Sequence, residues 1–208
     1  MGEANPSVLV IDDDLEFRDS VVRLLRTVGL PALQFSSVPD FLKADPPDGP
    51  TCLVLDVRMP GRSGLELQRD LAAANRQVPI IFITAHADVP MTVQAMKGGA
   101  IEFLTKPFRD QDLLDAVEAG LTRDRARRES ERTLAALRER FDTLSSRERD
   151  IMLYVVAGRL NKQIANEIGI AESTVKVHRT NLMRKMKARS LPELSRMADT
   201  LNVSRPQQ

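Results

Sequence analysis

Six side chains in the first half of the chain are of the types that handle divalent cations and phosphate. Asp12, Asp13 and Asp14 follow the apolar run "VLVI", Asp56 closes "TCLVLD", Thr84 closes "VPIIFIT", and Lys106 follows "IEFLT". Each alone has an ordinary explanation; Asp14, for instance, stands where a helix N-cap belongs. Together they are harder to dismiss, because they sit at the ends of four different apolar runs. If those runs are strands of one parallel sheet, their carboxyl ends share an edge, and open α/β folds bind ligands along that edge. Carboxylates crowded there repel, and one takes up a proton unless a cation supplies the missing charge. The donors are all oxygen, with no Cys or His ligand nearby, so a hard octahedral ion fits and Mg²⁺ is the first choice. Such a metal would prepare Asp56 to receive an anionic group.

A second set lies in "NKQIANEIGIAESTVKVHRTNLMRKMKARS". Ile164, Ala165 and Ile168 make a short apolar face, Gly169 interrupts it, and a second helix is expected from Glu172 or Ser173. The small Ala165 lets two helices cross closely, which is the helix-turn-helix arrangement. Lys176, Arg179, Arg184, Lys185, Lys187 and Arg189 stand against Glu172 alone. A solvated basic helix is the plainer alternative, and the adjoining turn and short helix weigh against it. Tyr154 is the only tyrosine and Trp is absent, so base stacking on aromatics, the usual device for single strands and RNA, lacks its residues.

The elements that would position these groups are legible as period and punctuation. "SVLVID", "ALQFS", "TCLVLD", "VPIIFIT" and "IEFL" read as strands, with helices at "LEFRDSVVRLLRTVG", "VPDFLKA", "LELQRDLAAAN" and "MTVQAMKGG" and from about Asp112. Phe17, Val21, Leu24, Leu25 and Val28 share one face of the first helix. Five strands alternating with helices imply a doubly wound parallel sheet, and unbroken Val/Ile/Leu runs suit strands covered on both faces. In "LTRDRARRESERTL" apolar residues almost vanish. A flexible coil is one reading. The favoured one is a solvated helix over 122–137 that extends the preceding helix, because Gly and Pro are absent and Asp124–Arg128 and Glu129–Arg132 have helical spacings, each pair worth roughly 0.2–0.5 kcal/mol. Helical periodicity then resumes, with Ser145 and Glu148 at capping-box spacing, three further short helices, and a last stripe of Leu191, Leu194, Met197 and Leu201.

Composition sets outer limits. The net charge of +1 hides a division: residues 1–121 hold 11 Lys/Arg against 18 Asp/Glu, and residues 122–208 hold 19 against 11. An acidic half joined to a basic half suggests a cation and a polyanion as partners. One cysteine, Cys52, excludes an internal disulfide and fits a cytoplasmic setting. No apolar run approaches membrane-spanning length, and "MGEANPS" lacks the basic end and apolar core of a signal peptide.

"VIDDD", "LDVRMPGRSG", "FITAHAD" and "FLTKPF", in that order, resemble the receiver domain of two-component response regulators over residues 6–121. The stretch from "LSSRERDIMLYVVAG" to "SLPELSRMA" resembles the LuxR-type DNA-binding domain over 138–203, with the helix-turn-helix at 161–180. Together they resemble the FixJ class. That resemblance implies a flavodoxin-like receiver and a four-helix all-α domain. It makes Asp56 the phosphoacceptor, served by a sensor histidine kinase. Asp13, Asp56 and the backbone carbonyl of Arg58 would hold Mg²⁺, with Asp12 acting through water. Lys106 and Thr84 would contact the phosphoryl oxygens, Phe103 would turn as Thr84 moves, and Lys106–Pro107 would be cis. In the second domain Lys176, Val177 and Thr180 would face base edges, and Lys162, Ser173, Thr174, Arg179 and Lys185 would meet phosphates. Homodimers on promoter DNA, contact with RNA polymerase and activation of transcription are further implications. A dehalogenase-like phosphatase also uses an aspartate at a strand end, with a second Asp two positions on; here that position is Arg58, which cannot donate a proton at neutral pH. The remaining alternative is a DNA-binding protein whose receiver serves, unphosphorylated, as an interaction module.

Overall fold

The computed structural model describes residues 5–203, so the first four residues of "MGEANPS" lie outside it; the chain divides into two compact units between Arg128 and Glu129. The first unit runs β1 (Ser7–Ile11), α1 (Leu15–Thr27), β2 (Ala32–Phe35), α2 (Val38–Lys43), β3 (Thr51–Asp56), α3 (Gly64–Ala73), β4 (Ile80–Thr84), α4 (Val89–Lys97) and β5 (Glu102–Thr105). The five strands form one parallel sheet in the order β2-β1-β3-β4-β5. This is a doubly wound sheet whose order reverses beside β1 and β3, and the crevice outside that point is where such folds take ligands.

Strand residues alternate between two cores. Leu9, Ile11, Leu53, Leu55 and Phe82 pack on one face, and Val8, Val10, Val54, Ile81 and Ile83 on the other. Each is at most 5% exposed, and full burial of a side chain of this size is worth about 1.5–3 kcal/mol. That is why the runs read as continuous rather than alternating. Asp14 caps α1 by accepting from the amides of Glu16 and Phe17. Val28 leaves the expected apolar face: α1 ends at Thr27, Gly29 takes φ 74°, and Val28 is exposed.

Helix α5 spans Asp110–Asp142, 33 residues without a break, so the charged stretch is helical. It is not uniformly solvated. Asp124 is fully buried, and its carboxylate accepts from the Thr51 amide at 2.8 Å, from Arg127 at 2.6 Å and from Arg128 at 2.6 Å. Arg128 also donates to the Asp48 carbonyl at 2.9 Å. Burial opposes ionisation of Asp124, but the donors from Thr51, Arg127 and Arg128 outweigh it and hold the carboxyl below its usual range. The neighbouring Cys52 thiol is pushed up to about 12 by burial and then by the Asp124 charge. Glu129 and Arg132, the other pair expected from spacing, form no ion pair among the described residues.

The second unit holds the end of α5 with α6 (Ser146–Val156), α7 (Asn161–Ile168), α8 (Glu172–Met186) and α9 (Leu191–Thr200). Leu144, Ile151, Met152, Ile164, Val175, Leu182 and Leu194 form its core. Ser145 and Glu148 make the expected capping box, and Gly169 closes α7 at φ 69°, a left-handed conformation that favours glycine. The α9 stripe belongs to the core: Leu194 is buried, and Leu191, Met197 and Leu201 pack against the cluster. No helix among the described residues is long and apolar enough to cross a membrane.

Candidate metal centre and nucleic-acid interface

The strand ends bring the acidic side chains together. Asp12 and Asp13 follow β1, and Asp56 is the last residue of β3. Each offers one carboxylate oxygen, and the three oxygens lie within 4.8 Å of one another. Asp12 is fully buried; it accepts from the Lys106 ammonium at 2.7 Å and from the Asp14 amide at 2.9 Å. Lys106 lies 3.6 Å from Asp56, and the Arg58 amide donates to Asp56 at 3.0 Å. Burial is the first cause that raises the Asp56 carboxyl above its usual range; the Arg58 amide opposes it, the Asp12 charge adds to it, Lys106 opposes it and Asp13 adds to it. An all-oxygen set with Asp13 and Arg58 exposed at its rim fits a hard divalent cation that keeps several waters.

Thr84 is buried at the end of β4, with its hydroxyl turned into the following loop: it accepts from the His86 amide at 3.3 Å and donates to the His86 carbonyl at 3.4 Å. Phe103 is half-buried beside Phe82, ring centroids 6.2 Å apart. The Lys106–Pro107 bond is cis, as the resemblance implied.

Two neighbours of the acidic crevice escaped the sequence reading. Arg18 is buried and donates to the Asp12 carbonyl at 2.5 Å, placing a cation beneath the acidic loop. Gly64 opens α3 with no room for a side chain: an added Cβ would lie 2.3 Å from the Asp56 carbonyl oxygen. Nothing in the local sequence signals that approach. Gly64→Ala is therefore expected to cost about 1–3 kcal/mol, as overpacked sites do. Urea denaturation checks this, and an unchanged midpoint would mean that α3 yields freely.

In the second unit the exposed face of α8 carries Lys176, Val177 and Thr180, with Val177 59% exposed. An exposed valine of that degree on a basic helix suits contact with a thymine methyl. Thr180 donates to the Lys176 carbonyl of its own helix at 3.0 Å. Lys162 on α7 and Ser173 and Thr174 in the first turn of α8 are exposed. Arg179 is half-buried and donates to Asn161 at 2.9 Å, tying α8 to the start of α7. Lys185 also has partners inside the domain. Its ammonium donates to Glu148 at 2.6 Å and to the Thr143 carbonyl at 3.0 Å, so two of its three donors are used inside the domain. Glu148 is buried; burial works against its charge, but Lys185 and Ser145 hold its carboxyl below the usual range. Lys185 thus ties α6 to α8 while keeping one donor for a further acceptor. The pair is 37 residues apart, which hid it behind a run of basic residues.

Comparison with known proteins matches both units. The response regulator receiver domain family matches residues 8–118, and the luxR family of bacterial regulatory proteins matches residues 142–198. Nodulation protein W of Bradyrhizobium diazoefficiens is 55% identical over 197 residues, covering 95% of this chain and 87% of its own length. The transcriptional regulatory protein FixJ of Azorhizobium caulinodans is 46% identical over 198 residues, covering 95% and 93%. Among solved structures, the response regulator StyR is 49% identical with a TM-score of 0.87, covering 94% of this chain and 99% of that one.

Proposed function

Because the chain belongs to the FixJ class of two-component response regulators, in which a receiver is joined to a LuxR-type DNA-binding domain, we propose that Asp56 is its phosphoacceptor and that phosphorylation drives promoter binding. The observation that supports this most is the placement of Asp56 at a strand end, 3.6 Å from Lys106 and within one cluster with Asp12 and Asp13. An Asp56 carboxylate oxygen attacks the phosphorus of a sensor kinase phosphohistidine. A P–O bond forms as the P–N bond breaks, and its electron pair leaves with the imidazole. Asp13, Asp56 and the Arg58 carbonyl would hold Mg²⁺, with Asp12 acting through water. Bound there, the ion supplies positive charge to phosphoryl oxygens, the main requirement of phosphoryl transfer. Lys106 neutralises another oxygen. Thr84 gives up its bonds to His86 and turns its hydroxyl to the phosphoryl group, and Phe103 follows into the space released. A phosphoaspartate adds close to two negative charges, enough to favour that rearrangement. Arg58 provides no proton, so the phosphoryl group is held as a signal rather than turned over.

The phosphorylated receiver pairs with a second copy through its α4–β5 face, and two DNA-binding domains then meet a two-fold site and contact RNA polymerase to activate transcription. Lys176, Val177 and Thr180 read bases; Lys162, Ser173, Thr174, Arg179 and the remaining donor of Lys185 position the domain on phosphates. Lys176→Ala is expected to lower affinity for the specific site by about 1–3 kcal/mol and to relax its sequence preference. Lys162→Ala should weaken all duplexes alike and reduce the salt slope by about one. Fluorescence anisotropy on specific and scrambled duplexes tests this. An identical loss on both duplexes for Lys176→Ala would remove it from the base-reading set.

A further inference from the structure

We infer that Phe17 positions the Lys106 ammonium, acting as a cation–π seat for it. The inference rests on the reading that Lys106 serves phosphoryl transfer to Asp56. The Lys106 nitrogen lies 3.6 Å from the centroid of the Phe17 ring. The same nitrogen lies 2.7 Å from Asp12 and 3.6 Å from Asp56, so the ring closes a third side of the charge. Lysine ends a flexible four-carbon stem in a compact charge, and nothing in the side chain itself fixes that charge in space. Asp12 alone would draw the ammonium away from Asp56. An aromatic face adds a further attraction for the ammonium without adding negative charge to a pocket that already holds three carboxylates.

The ring is itself held. Phe108 braces it edge-to-face, centroids 6.1 Å apart and planes at 83°. The Phe17 amide donates to Asp14, the cap of α1, at 3.2 Å. The turn that carries Asp12 and Asp13 therefore also anchors the Phe17 backbone, and the segment that carries Lys106 also carries the brace for its ring. Apolar packing alone would need only bulk at position 17, which leucine supplies. Attraction of a cation needs the face of a ring, which tyrosine supplies and leucine does not.

Two readouts on the full-length protein separate these roles. In protein with ¹³C-labelled lysine, the Lys106 ε-methylene, assigned with Lys106→Gln, should be shifted upfield by the ring in the wild type and in Phe17→Tyr. It should return to an ordinary position in Phe17→Leu. With acetyl phosphate and Mg²⁺, Phe17→Leu should slow phosphorylation about three- to tenfold, and Phe17→Tyr should restore the rate. In a Lys106→Gln background Phe17→Leu should cost nothing further, since its effect passes through the lysine. An unshifted methylene in the wild type overturns the inference, as does a Phe17→Leu loss of equal size with and without Lys106. Should the wild type take up no phosphoryl group, the Asp56 reading fails, and the methylene shift still decides whether Phe17 seats Lys106.

Discussion

Asp56→Asn is expected to abolish the phosphodonor-dependent pairing of the protein and the gain in operator affinity that goes with it. An amide of the same shape fills the end of β3 without strain, so the fold and basal DNA binding survive. It has no anionic oxygen to attack phosphorus, and it removes one carboxylate from a cluster whose oxygens lie within 4.8 Å. Joining two binding domains makes the second contact intramolecular, and such linkage raises apparent affinity by about 10²–10⁴. The difference between phosphodonor-treated wild type and Asp56→Asn should fall in that range. Sedimentation velocity and anisotropy on a two-fold site measure both quantities. Equal dimerisation of the two proteins after phosphodonor treatment would support the rival in which the receiver is an unphosphorylated interaction module.

Asp124→Ala should also be costly, although it acts at the end of β3 opposite Asp56. The mutation leaves the buried Thr51 amide at the start of β3 without its acceptor and strips Arg127 and Arg128 of a shared carboxylate. Losing charge-assisted bonds of this kind costs about 2–4 kcal/mol. The pH dependence has a definite sign. The Asp124 carboxyl is held below its usual value in the folded protein. Its contribution is therefore complete above the unfolded carboxyl value, about 4, and disappears as pH falls through the lower folded value. The gap in urea midpoint between wild type and Asp124→Ala should be constant near neutrality and narrow on acidification. A gap that persists undiminished at low pH would show that Asp124 acts through shape rather than charge. Helix α5 should also fray beyond Leu121 in this variant, visible as faster amide exchange there.

How much of this could be read in advance follows the range of each interaction. Strands whose two faces are both covered announce themselves as unbroken apolar runs, and their ends follow from the polar residues that stop them. Asp12, Asp13, Asp56, Thr84 and Lys106 are therefore traceable to one sheet edge from the sequence alone. Element ends moved by a residue or two: β5 is Glu102–Thr105 and α5 begins at Asp110. The helicity of the charged stretch was also legible, because i,i+4 pairs are local. What Asp124 does was not, since its partner Thr51 is 73 residues away. The bond from Lys185 to Glu148 is hidden for the same reason: a basic run is visible in sequence, while a partner 37 residues away is not. The place of Phe17 was half-seen as a core position on α1; that its ring also faces a cation depends on where β5 ends. Gly64 shows a third kind of blindness, because the lack of a side chain is informative only once the Asp56 carbonyl is known to lie against it.

On the proposed function, the acidic crevice phosphorylates one aspartate, Asp56, as an acyl phosphate. Intact-mass and peptide-level spectrometry after incubation with acetyl phosphate, with and without Mg²⁺, tests it most directly. A single phosphoryl group on Asp56, formed only with the ion present and absent from Asp56→Asn, is the predicted result. Wild-type protein that stays unmodified, or that carries the group on another residue, would contradict it.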